Sequence, residues 1–182
     1  MNRVVTMLVA GALATVAFDF FGQSLSPGLG FANLAPVPLA NQVIQVLFGQ
    51  TWTPGAQFLH YVAGLVAYPL GWMLVARPAA ARLAPGVPWW LVAAVYGVAL
   101  WVFALWVMAS LVAGNPPFLG FTGITWVALV GHVLYALVAA FAVRRMVGGY
   151  RETAPPARRA APRRWLGPPT AAAFPPRAAC AR

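Results

Sequence analysis

The sequence predicts an all-α polytopic membrane protein: four transmembrane helices with both termini in the cytoplasm. Four apolar runs match the roughly 20 residues that a helix needs to cross a hydrocarbon core. The chain is 62% hydrophobic and 8% charged, against roughly a quarter charged in soluble proteins. Its arginines also fall on alternate connections. Arg3 precedes the first run, Arg77 and Arg82 lie between the second and third, and Arg144, Arg145 and the rest follow the fourth. The connections 23–56 and 114–120 carry no charge at all. Arginine bias in short flanking loops sets orientation, so the charged sides face the cytoplasm.

The first span is expected over Val4–Gly22. Ala12-Leu13-Ala14 mimics a cleavage site, but the apolar run continues past it and the segment before it is short for a signal peptide. The span is therefore read as retained. Pro38–Gln50 follows in the long uncharged connection. Leu39, Val43, Val46 and Leu47 fall on one helical face there, with Asn41, Gln42 and Gln45 on another, which predicts an amphipathic helix at the outer interface, about 38–50.

The second span, Gln57–Ala76, is preceded by Thr53-Pro54, an N-cap with a first-turn proline. Pro69 lies inside it and should kink the helix or leave the Leu65 carbonyl to a neighbour. Pro85-Gly86-Val87-Pro88 breaks the chain before the third span, Trp89–Ala113. Trp89 and Trp90 at one edge and Trp52 near the other suit the interfacial aromatic belt. Asn115-Pro116-Pro117 makes a short, stiff turn into the fourth span, Phe121–Val143. The bundle thus occupies 1–147. From 148 to 182, Arg, Pro and Ala dominate, which predicts a disordered cytoplasmic tail attracted to anionic lipid.

Net charge of +10 would suggest nucleic acid in a soluble chain. Confined to one side of a bilayer, it points to the lipid surface and argues against a nucleic-acid partner. The single cysteine, Cys180, excludes an intramolecular disulfide or a Cys-rich metal site. No phosphate loop, nucleophile elbow or metalloprotease helix is present, and no catalytic or metal-ligating residue is assigned.

Three readily titratable groups besides tyrosines lie within the spans: Asp19, His60 and His132. Each needs an explanation, because a charge at mid-bilayer costs about 2.5–3.5 kcal/mol. Asp19 is sixteen residues past Arg3 and His60 seventeen before Arg77, so at about 1.5 Å per residue the two are level in the outer half. The two helices are consecutive and antiparallel, so an Asp19–His60 hydrogen bond is expected. Desolvation favours two neutral groups and mutual attraction favours aspartate with imidazolium. Gly11, Thr15 and Asp19 form one small-residue stripe, and Ala63, Ala67 and Gly71 a second, for close helix packing. Tyr68, two turns from His60, could extend a short polar track.

His132, with Tyr135 on its face, is expected about 7 Å deeper than His60. Two intramembrane histidines raise a b-type haem, but that offset argues against a shared iron, so no cofactor is expected. A weak duplication is also legible. Pro27-Gly28-Leu29-Gly30-Phe31 parallels Pro117-Phe118-Leu119-Gly120-Phe121, and the segment from His60 to Ala67 parallels that from His132 to Ala139. This suggests a tandem repeat of helical hairpins.

Gly11-Ala12-Leu13-Ala14-Thr15-Val16-Ala17-Phe18-Asp19, His60-Tyr61-Val62-Ala63-Gly64 and Gly131-His132 resemble small four-helix bacterial inner-membrane proteins, domain-of-unknown-function families akin to the YagU-like proteins. The resemblance covers about 3–143. It implies a bacterial inner-membrane location without an established activity, and it marks Asp19, His60 and His132, with Gly64 among the packing positions. The function expected from the sequence is structural or accessory, with a homo-oligomer or a larger membrane complex as the candidate setting. The alternative is a small proton-coupled transporter using Asp19 and His60, and a haem-binding redox protein is third.

Overall fold

The computed structural model describes residues 2–152, which are helical throughout apart from turns and connections. Four helices are long and apolar enough to span a membrane: α1 Arg3–Gly28, α3 Thr53–Leu83, α4 Trp89–Val112 and α5 Gly123–Glu152, whose apolar part is Gly123–Val147. A shorter apolar helix, α2 Pro36–Phe48, lies between α1 and α3. The helices run up and down, so Arg3, Arg77 and Arg144 share one end of the bundle, the basic end; α2 covers the far end. Apolar side chains such as Val16, Phe20, Phe58, Leu74 and Val95 point outward, while Thr6, Thr15, Ser26, Thr125 and His132 are buried. A bundle in water would have the reverse pattern.

Each helix end has a local cause. The Asn2 side chain caps α1 by accepting from the Val4 amide at 3.1 Å. The helix continues past the predicted end at Gly22 through a wide turn at Phe21–Leu25 and stops where Gly30 takes φ 86°. Ser26 Oγ fixes the exit by donating to the Ala32 carbonyl at 2.8 Å. Helix α2 begins on Pro36 and ends at Gly49 with φ 75°, a left-handed cap. It spans 36–48 rather than 38–50, and its inward face differs from the one expected. Val43 and Ile44 are buried, while Val46 and Leu47 face away.

Helix α3 contains two wide turns, Ala63–Ala67 and Trp72–Ala76, each just ahead of a proline, Pro69 and Pro78. Proline has no amide to donate to the residue four back, and its ring crowds that carbonyl. The chain widens instead: the Tyr68 amide bonds to the Ala63 carbonyl and the Arg77 amide to Trp72, each five residues back. The helix thereby reaches Leu83, seven residues past the predicted end.

The turn between α4 and α5 is left-handed. Phe118, Leu119 and Phe121 have φ of 50°, 56° and 54°, and Gly120 has 71°. Each non-glycine in this region costs about 1–2 kcal/mol. The turn is held by the Phe118 ring, 4.7 Å from Trp101 and 5.6 Å from Trp106, and by Thr125 Oγ1 donating to the Phe118 carbonyl at 2.6 Å.

Helix α5 is the most buried, flanked by α1 and α4 along most of its length. It continues to Glu152, beyond the expected boundary at 147. The disordered tail expected over 148–182 otherwise lies outside the described residues. Toward the basic end, Ala10, Trp72, Ala93, Ala140 and Val143 fill the interior. Helices α3 and α4 meet there through Tyr96, which packs on Gly71 and Trp72. Toward the far end α3 and α4 diverge, and α2 lies across the gap.

Candidate functional site

Asp19 and His60 are in contact. The His60 Nε2 lies 3.1 and 3.2 Å from the two carboxylate oxygens, so Nε2–H donates to Asp19. Gln23, one turn along α1, donates from Nε2 to Asp19 Oδ1 at 2.9 Å. The side chains are 13% exposed for His60 and 25% for Asp19, so the pair stands at the rim of the bundle with Asp19 on its outer side. Matched depth on adjacent antiparallel helices brings the pair together. Gln23 was not anticipated, although its spacing of four from Asp19 places it on the same helical face.

Inside the pair is a cavity of about 360 Å³, bounded by α1, α3, α4 and α5 and covered by α2. Its lining is apolar apart from a few groups: Thr15, His60, Tyr68, His132 and Tyr135. Leu39 and Val43 of α2 form its cap, and Phe103 and Met108 of α4 its far wall. Phe18 stands between the histidines, with its ring centroid 6.5 Å from His60 and 5.1 Å edge-on from His132. The two imidazoles, expected on different levels, therefore line one space.

His132 is buried, and its Nδ1 lies 2.7 Å from the Ala128 carbonyl. A carbonyl only accepts, so Nδ1 carries the proton, and Nε2 of the neutral ring is an acceptor without a hydrogen bond among the described residues. Close backbone approach fixes the ring's position. A methyl added to Gly97 of α4 would fall 2.6 Å from the Val133 Cα and 2.7 Å from the His132 carbonyl oxygen.

Tyr135 Oη donates to the Gly64 carbonyl at 2.5 Å. That carbonyl is free because the Tyr68 amide, its partner in a regular helix, bonds instead to Ala63. The Tyr96 hydroxyl donates to the Tyr68 carbonyl at 2.6 Å, and the Tyr68 and Tyr135 rings meet edge to face at 5.7 Å. From the position of Pro69 the expected recipient is the Leu65 carbonyl; Tyr135 of α5 instead takes the Gly64 oxygen, and Tyr96 of α4 adds a second bond to the Tyr68 oxygen, which also accepts from the Trp72 amide. Tyr96 was missed, although any hydroxyl within an apolar span must find a partner.

The small-residue stripes are only half as expected. Gly11 packs on α3, where an added methyl would meet the Leu65 carbonyl oxygen at 2.6 Å, and Thr15 presses on Gly64. Ala63 and Ala67 line the cavity instead, and Gly71 faces Tyr96 of α4. The wide turn shifts the face on which Gly71 falls, while Ala63, at its start, simply lies on the face next to Gly64's. Thr15 Oγ1 is buried without a hydrogen-bond partner.

Among the described residues, no three His, Cys, Asp or Glu side chains gather as a metal site. A second hollow, at the basic end, is bordered by Arg77, Arg144 and Arg145. Arg144 lies over Trp89 at 5.7 Å and Arg145 over Phe141 at 4.9 Å. Comparison with protein-family models, curated proteins and solved structures gives no match for this chain.

Proposed function

We propose that this is an accessory protein of a bacterial inner membrane, with both termini cytoplasmic, that holds an apolar, membrane-soluble molecule in the cavity beneath α2. The observation that carries the reading is the cavity itself. It is an apolar space of about 360 Å³, within the range of small-molecule sites, with a few polar groups converging on it. Its place between the diverging halves of α3 and α4 suits lateral access from lipid. The Asp19–His60 pair acts here as a clamp joining α1 to α3 at the rim, with His60 forming part of the wall.

The competing reading, proton-coupled transport through Asp19 and His60, draws on the same pair. It is less well supported because the polar side chains run only from Tyr68 and Tyr135 to Tyr96 and the Trp72 indole, and Ala10, Ala93, Ala140 and Val143 close the interior around them. A transport path would need those side chains to separate.

The test is a photoactivatable apolar probe in liposomes, with labelled peptides mapped by mass spectrometry. Labels are expected on Met108, Leu119 or Tyr68 within the cavity as well as on lipid-facing Val16 and Phe58. Ala104→Phe, which places a ring in the cavity, should remove the first set and spare the second. Labels confined to the lipid-facing residues would overturn the reading.

A further inference from the structure

We propose that the cavity selects an amphiphile whose head is a neutral hydroxyl, of the phenol, quinol or long-chain alcohol class, rather than one that can only accept hydrogen bonds. This rests on the binding reading above and names its ligand class.

The argument is a count of donors and acceptors on the wall. The His132 ring has spent its N–H on Ala128, so it offers the cavity only a lone pair. His60 has spent its Nε2–H on Asp19, so in the neutral ring Nδ1 is likewise an acceptor. Tyr135 has spent its O–H on Gly64. The Thr15 hydroxyl is buried against Gly64 and does not open onto the cavity. Tyr68 lines the same space and its hydroxyl makes no hydrogen bond among the described residues.

The imidazoles thus need a donor, while the free hydroxyl of Tyr68 can accept or donate. A ligand hydroxyl meets both needs at once, donating to an imidazole and accepting from a wall hydroxyl. An ether or ester oxygen leaves the imidazole lone pair unanswered. A carboxylate or phosphate head would bring a charge into a space lined by no Arg or Lys among the described residues, so anionic lipid is disfavoured.

The experiment compares two photoprobes with one diazirine-bearing alkyl tail, a phenol and its methyl ether, in liposomes of phosphatidylethanolamine and phosphatidylglycerol. Cavity labelling is quantified relative to labelling at Val16 and Phe58, which corrects for partition into lipid. The phenol should label the cavity about fivefold or more over the ether, as expected for one net hydrogen bond. His132→Leu and Tyr68→Phe should each bring the ratio toward one by lowering the phenol more than the ether. Tyr68→Phe removes a hydroxyl that has no partner among the described residues, so the fold should hold and this variant decides alone if His132→Leu does not assemble.

Equal labelling of the cavity by both probes would overturn the hydroxyl preference and leave the binding reading intact. A preference that survives both substitutions overturns it too, since the head would then sit elsewhere. Cavity labelling by neither probe overturns the binding reading itself.

Discussion

Truncating Asp19 and His60, singly and together, measures the one polar contact that ties α1 to α3 near the rim. The Nε2 to carboxyl oxygen distances of 3.1 and 3.2 Å describe a hydrogen bond between two ionisable side chains. Such bonds contribute about 1.5–3 kcal/mol in soluble proteins. Polar contacts between helices in bilayers average about 0.6 kcal/mol and reach about 1.7, because the separated helices find other partners. The exposures of 13% and 25% favour the lower range, since water or lipid headgroups can reach Asp19 once His60 is gone. Gln23 also keeps one bond to the carboxylate when His60 is removed. A coupling of about 1 kcal/mol is therefore expected: Asp19→Ala and His60→Ala should together cost about that much less than the sum of their separate losses. The assay is equilibrium unfolding in mixed micelles at one fixed pH, with intrinsic tryptophan fluorescence as the signal. Asp19→Asn separates geometry from charge, because an amide oxygen still accepts from Nε2–H, and it should retain about half of the coupling. Losses that add within about 0.3 kcal/mol would refute the clamp, since independent sites behave that way.

Other predictions follow from the backbone around the cavity. Tyr135→Phe should destabilise the bundle by about 1–3 kcal/mol, the cost of leaving the Gly64 carbonyl unanswered; a loss under about 0.3 kcal/mol in the same unfolding assay would mean that water or another donor replaces it. Gly97→Ala should cost more than Gly28→Ala, because the first methyl meets the Val133 backbone at 2.6 Å while the second has nothing within 4 Å; equal melting temperatures would refute the close approach of α4 and α5. A reporter inserted near Gly30 should behave as external and one fused after Gly149 as cytoplasmic; an external C-terminus would overturn the orientation inferred from the arginines.

The elements legible in the sequence are those fixed by a ruler. Apolar run length set the four spans, and counting inward from Arg3 and Arg77 placed Asp19 opposite His60, because the rise of a helix varies little. Rotation about the helix axis was legible only up to the first irregular turn. Each additional residue in a turn swings the following faces by roughly 100°, so the stripe drawn through Ala63, Ala67 and Gly71 could not survive the wide turn ahead of Pro69. Gly64 faces α1 and Ala63 the cavity by the roughly 100° that separates consecutive residues of any helix. Pro69 was noticed as a source of one free carbonyl, but which oxygens go free depends on how the chain widens, and a periodic pattern carries no such information. Depth counted along helices places His132 below His60 but does not show that both rings, with Phe18 in contact with each, line one space.

Proline, cavity and polar wall are one arrangement. An α3 that stayed regular through Ala63–Ala67 would keep its carbonyls to itself and present an unbroken apolar face to α4. With Pro69 in place, the Tyr68 amide moves to Ala63, the Gly64 oxygen becomes available, and Tyr135 reaches across from α5 to take it. That bond spends the tyrosine proton, as Ala128 spends that of His132, and the wall is left rich in acceptors on the side where the helices have parted. Packing alone does not require this chemistry, since phenylalanine and leucine would fill the same volume without a polar atom to satisfy. A wall that offers imidazole lone pairs, beside a Tyr68 hydroxyl with no partner among the described residues, suits a molecule that brings a donor of its own.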